Sequence, residues 1–117
     1  MPRMRRQLLA FLAPLALAAC DKREPAPQPR PGDIEIRADE RGFSPSKVEL
    51  ERGKPRRLIF TRTTDDTCAK DVVFPDLAID KPLPLNHAVA IEVPVTEART
   101  LTFQCGMGMY KSKVIVN

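Results

Sequence analysis

Residues 99–117 read RTLTFQCGMGMYKSKVIVN. The first seven put Leu101, Phe103 and Cys105 at one parity and Thr100, Thr102 and Gln104 at the other. Alternation of this kind marks a strand with one face in a core. SKVIVN closes the chain as another strand. Between the two lies CGMGM, where three sulfur side chains fall within five residues. Two glycines in that loop allow the backbone to curl around a point. In an extended segment, Cys105, Met107 and Met109, spaced two apart, point the same way.

The same period recurs upstream. DIEIRA alternates Ile34 and Ile36 with polar neighbours, and KVELERG alternates Val48 and Leu50 before Gly53. RRLIFTR is rich in strand-forming residues, KDVVFP ends at Pro75, and HAVAIEVPV puts Val89, Ile91 and Val93 on one face. Short strands punctuated by Pro and Gly predict an all-β sandwich or barrel, and the pattern fits a two-sheet sandwich. No helical period appears after the N-terminal segment. About 85 residues suffice for such a core.

The first residues are of another kind. Arg3, Arg5 and Arg6 precede an apolar run from Leu8 to Ala19, which is too short to span a bilayer permanently. A basic start, a short apolar centre and small residues at the end predict a secretory signal. Its end, LAAC, resembles the lipobox of bacterial lipoproteins, which implies lipidation of Cys20 as the first mature residue. Asp21 follows it, as in proteobacterial lipoproteins kept at the inner membrane. Next come prolines at 25, 27, 29 and 31, which favour extended polyproline II and predict a stalk holding the domain off the membrane. The expected organisation is a signal peptide over 1–19, a lipidated cysteine and linker over 20–32, and one domain over 33–117.

Charge follows the same division. The chain carries 19 basic and 15 acidic residues, a net +4. Without the three signal arginines the balance is 16 to 15. No basic stripe with interleaved aromatics remains, so nucleic acid binding has no electrostatic footprint. No nucleophile–base set and no phosphate-cradling glycine loop appears, so the protein is not expected to be an enzyme. Asp65 and Asp66 are adjacent and read as a solvated turn. The lone histidine, His87, lies in a turn and stands outside the candidate site.

With Cys20 taken by lipid, Cys68 and Cys105 remain. Cys68 sits in a loop before KDVVFP, Cys105 at a strand end, and a metal fits where the two loops meet. Thiolate and thioether are soft donors that select Cu(I) over zinc or hard cations. Two plainer readings stand beside this one. Cys68 and Cys105 can form a disulfide in an oxidising compartment. Met107 and Met109 can plug the end of the core, and Tyr110 can pack there.

FSP at 43–45, VELERG, LIFTR, TCAKDVVFPDLAI, LPL, LTFQCGMGM and KVIV together resemble the cupredoxin-like domains of the EfeO type. The closest resemblance is to forms with Cys and Met in place of blue-copper histidines, found in membrane-anchored Cu(I) chaperones and fused to copper-exporting P-type ATPases. The resemblance implies a cupredoxin-like Greek-key β-sandwich. It implies a sulfur-only copper site at Cys68, Cys105, Met107 and Met109, holding Cu(I). It further implies a monomer in copper homeostasis or resistance, lipid-anchored and facing the periplasm. The partner it implies is a copper-exporting P-type ATPase or another envelope copper carrier. Lys111 replaces a histidine of some relatives, and Lys70 falls near a histidine of ordinary cupredoxins. Both departures weigh against blue-copper electron transfer, which stays as one alternative. A metal-free, disulfide-stapled interaction module is the other.

Overall fold

The alternating segments become nine strands in a computed structural model that describes residues 25–117. The signal sequence and Cys20 lie outside the described residues. The strands are β1 (Ile34–Asp39), β2 (Gly42–Ser44), β3 (Lys47–Leu50), β4 (Arg57–Arg62), β5 (Asp71–Phe74), β6 (Ile79–Pro82), β7 (Val89–Glu92), β8 (Arg99–Gln104) and β9 (Lys111–Val116). A 3-10 turn, Pro75–Leu77, links β5 to β6. One sheet has the order β2-β1-β4-β7 and the other β3-β9-β8-β5-β6. Pairing is parallel for β1 with β4 and for β3 with β9, and antiparallel for the other neighbours. The chain passes repeatedly between sheets in the Greek-key manner, giving the two-layer, all-β fold expected.

The inward parity is the one read from the sequence. Ile36, Val48, Leu50, Ile91, Val93, Leu101, Phe103 and Cys105 are all buried. The domain's four phenylalanines form one cluster. Phe103 stacks on Phe74 with ring centres 5.5 Å apart and meets Phe43 and Phe60 edge-on at 5.3 and 5.6 Å. Each aromatic pair adds about 0.5–1.5 kcal/mol beyond the area it buries. Phe103 lies two residues before Cys105, so the cluster braces the strand from which the sulfur loop springs.

Strand direction gathers the loops at one end. The parallel β1 and β4 finish together at Asp39 and Arg62. β5 starts at Asp71 opposite Pro82, where β6 finishes. β8 finishes at Gln104 opposite Lys111, where β9 starts. Connections 39–42, 62–71, 82–89 and 104–111 therefore share this loop end. Hydrogen bonds lace them together: Asn86 N donates to Arg62 O at 2.7 Å, and Leu83 N to Lys70 O at 2.8 Å. Arg62 is itself buried, and its guanidinium donates to the Leu83 carbonyl at 2.7 Å and to Asp65 at 2.7 Å. Asp66 N donates to Thr64 Oγ1, completing the turn expected around the two aspartates.

The described part of the proline segment lies against the domain. The Arg57 guanidinium donates to the Gln28 carbonyl at 2.6 Å and makes two bonds to the Asp33 carboxylate, at 2.6 and 3.0 Å. Arg56 Nε donates to the Gly32 carbonyl at 2.6 Å. The hydrogen bond from Arg57 outweighs the desolvation of Asp33 and holds its carboxyl below its ordinary value.

Candidate metal centre

Cys105 closes the buried face of β8 and is 0 % exposed. The chain then reverses tightly. Gly108 N donates to the Cys105 carbonyl at 2.8 Å, and Cys105 N to the Tyr110 carbonyl at 3.2 Å. Gly108 takes φ +71, a conformation that disfavours any residue with a Cβ. The loop thus curls, as its glycines allow, and the extended geometry that would align the three sulfurs is absent. Gly106 has a different role from the one expected of it. Its φ is not positive; instead a Cβ there would meet Asp71 Oδ2 at 2.5 Å. The missing side chain lets Asp71 Oδ1 accept the Gly106 N–H at 2.8 Å.

Cys68 reaches the same spot from the β4–β5 connection. Thr67 Oγ1 donates to the Asp39 carbonyl at 2.7 Å and accepts the Ala69 N–H at 3.0 Å. Ala69 is fully buried. Cys68 is pinned between these two neighbours and is half-buried. Its Sγ lies 3.8 Å from Met109 Sδ, and it is near enough to Cys105 to help hold that thiol's pKa down. Both cysteines are free thiols. Three of the four sulfurs expected in the site, Cys68, Cys105 and Met109, therefore converge. Met107 stands on the turn itself and is 75 % exposed, while Met109 is 67 % exposed. Neither methionine plugs the core.

The site favours a thiolate at Cys105. Burial alone raises a thiol's pKa, but here it is outweighed. Backbone N–H groups of Tyr110 and Met109, the Cys68 side chain and the Met107 N–H stabilise the charged form, and the pKa lies below its ordinary value. The Tyr110 amide is 3.4 Å from Cys105 Sγ. Tyr110 packs as expected: a Cβ on Gly42 would come within 2.9 Å of its ring. Its hydroxyl also donates to the Glu40 carbonyl at 2.9 Å, tying the sulfur loop to the β1–β2 turn. Burial, then the neighbouring Cys68 and Cys105, raise the Tyr110 pKa, so the hydroxyl stays protonated beside the thiols.

Among the described residues, no three His, Cys, Asp or Glu side chains gather to hold a metal. The donors at this end are the two thiols, with the thioethers beside them. Lysines stand at positions 70 and 111, and His87 lines a groove beside β6 and β7. Two supporting residues escaped the sequence reading. Asp71 heads an ordinary-looking strand, and Thr67 is one threonine among several; neither carries a local signal.

Comparison with known proteins fits this geometry. Residues 8–116 match the family described as a cupredoxin-like domain. The metal-binding domain of the Streptococcus pneumoniae Cu(I)-exporting P-type ATPase CopA, solved with Cu(I), is 30% identical with a TM-score of 0.67, the match covering 79% of this chain and 92% of that one. A copper binding protein solved in its apo form is 32% identical with a TM-score of 0.62, over 80% of this chain and 96% of that one. A reduced amicyanin variant shares the fold at 17% identity and a TM-score of 0.58, over 77% and 87%. No curated protein matches the chain.

Proposed function

The chain belongs to the cupredoxin-like domain family, and from its N-terminal sequence and its cluster of Cys and Met we propose that it is an envelope lipoprotein that binds Cu(I) through sulfur alone. In this reading residues 1–19 are the signal peptide and Cys20 carries the lipid. Residues 20–32 link the anchor to a copper-binding domain over 33–117. The protein is a monomeric carrier or buffer, not an enzyme, facing the periplasm at the inner membrane. It is of the EfeO type with cysteine and methionine ligands.

The observation that carries the proposal is the convergence of Cys68, Cys105 and Met109 at one loop end, with Cys68 Sγ 3.8 Å from Met109 Sδ. Two anionic thiolates match the charge and softness of Cu(I), and neutral thioethers complete the shell. The amides around Cys105 lower the cost of keeping its thiolate in a buried position. The exposed methionines give an incoming or departing ion a first and last contact at the surface. The likeness to the metal-binding domain of a Cu(I) exporter supports a place in copper transport, with an exporting ATPase or another envelope copper carrier as partner.

Electron transfer in the manner of blue copper requires nitrogen ligands, and lysines occupy positions 70 and 111. Adding Cu(II) to the mature domain separates the readings. A sulfur-only Cu(I) site gives no stable blue complex. A lasting, intense visible charge-transfer band would replace the carrier reading with electron transfer.

A further inference from the structure

β6 and β7 are the last strands of their respective sheets, on the same side of the sandwich. Their outer edges line a groove of about 380 Å³. Pro25 and Pro27 form one wall of it; Pro82, Pro84, His87 and Val89 help form the other. Such edges invite pairing with other chains, and a proline-rich cover offers few donors with which to extend a sheet.

The direction of this cover is informative. Gln28 and Asp33 are tied to Arg57, which pairs with Glu92 at the end of the sandwich opposite the sulfur loop. Pro25 and Pro27 instead line the groove whose other residues run from Asp80 to Pro82 in β6 through Pro84 and His87 of the loop-end connection to Ala90 in β7. Read from Asp33 back toward the N-terminus, the segment climbs the seam from the far end to the loop end. Cys20 lies five residues before Pro25. Five residues reach at most about 18 Å. Six-residue strands such as β8 and β9 span about 20 Å. That reach falls short of the strand span, so an anchor that starts beside Pro25 at the loop end does not extend to the far end.

A second observation points the same way. Among the described residues, the exposed large apolar side chains are Met107, Met109 and Leu85, the last 40 % exposed. All three lie at the loop end, since Leu85 bridges Arg62. Apolar side chains gathered at one end suit an interfacial or membrane-protein surface.

We propose that the proline segment is a docked strap that brings the lipid anchor out beside the sulfur loop, so that the copper-binding end faces the bilayer. The inference rests on the lipid-anchored reading and adds an orientation to it. A cargo site turned toward the membrane is presented to a membrane-embedded carrier without the domain having to turn over.

The test uses the full lipidated protein in phosphatidylcholine–phosphatidylglycerol nanodiscs containing a gadolinium-chelate lipid. Met107 and Met109 are the only methionines after Cys20, so their methyl NMR signals report the loop end. Ile34, Ile79 and Ile115 report the far end. Several-fold greater broadening of the methionine methyls is expected. Replacing Pro25 and Pro27 together by Ser leaves the folded strands untouched and should shrink that difference. Isoleucine broadening equal to or above that of methionine, in protein whose mass shows the lipid, overturns the orientation and leaves the anchor standing. A difference that survives the double proline replacement overturns the strap. Cys20 found unmodified by mass overturns the anchored reading, and the orientation with it.

Discussion

Cys105 and Met107 are two residues apart, yet one is fully buried and the other 75 % exposed. Cys105 follows the end of β8 and keeps its inward parity, two residues after Phe103 and surrounded by amides. Met107 rides on a turn whose backbone is held at Cys105, Gly106 and Gly108. Cys68 and Met109 repeat the contrast: a thiol pinned by Thr67 and Ala69 meets a largely exposed thioether 3.8 Å away. The fold spends its rigidity on the thiols and leaves the thioethers at the surface. Strength of binding then resides in the first pair and ease of exchange in the second.

The largest expected effect comes from breaking the rigid half. Cys105→Ser and Cys68→Ser should each abolish tight Cu(I) binding, read by anaerobic competition. Their far-ultraviolet circular dichroism should stay that of the wild type, because the Tyr110 amide can still donate to a serine oxygen at 105. An intermediate effect should follow from loosening the turn. Asp71→Ala removes the acceptor for Gly106 N and should weaken Cu(I) binding by roughly 10-fold or more, as loss of supporting partners does. Asp71→Asn keeps an acceptor oxygen and should remain close to wild type. Equal affinities for all three proteins would show that the turn needs no such tie.

Met107→Ala and Met109→Ala probe the exposed half. Both should lower stoichiometry or weaken binding less than either cysteine change, and unfolding free energy should move by no more than about 0.5 kcal/mol. Chemical denaturation alongside the titration reads both quantities. A methionine change as damaging as Cys105→Ser would erase the contrast.

The smallest effect concerns the acid beside the tie. A hydrogen bond to the Asp71 carboxylate, then burial and like-charge repulsion, raise the pKa of Asp80. The folded state thus holds this proton more tightly than the unfolded chain does. The stabilisation is complete below the ordinary carboxylate range and is lost as pH rises through the raised value. Asp80→Asn donates to Asp71 without a titrating proton. Its denaturation midpoint relative to wild type should rise across that window and then level off. A constant difference at every pH would mean that Asp80 does not titrate against Asp71.

Much of the architecture was legible because burial on one face imposes a period of two. Seven strands, their inward residues and the place of Cys105 follow from that period. β2 and β6 were not legible: three residues carry too little periodicity, and IDKP ends in a residue that strands disfavour. The local pattern showed which sulfurs were present but not how they meet. Cys68 and Cys105 are brought together by sheet order, which no window of sequence contains; a resemblance to a family supplied that pairing in advance. Alternation even misled in the loop, where 105, 107 and 109 look aligned but a tight turn separates them. Asp71 stayed hidden because its task is set by Gly106, 35 residues away.

The central claim is that two fold-held thiolates make the tight Cu(I) site. It is tested most directly by anaerobic titration of the mature protein with Cu(I) against a chromophoric chelator, at neutral pH and again at acidic pH. The two cysteine variants are titrated in parallel. The account predicts one tight site in the wild type that weakens as protons compete for the thiolates and disappears in Cys68→Ser and Cys105→Ser. Cysteine variants that hold Cu(I) as tightly as the wild type, at either pH, would contradict it.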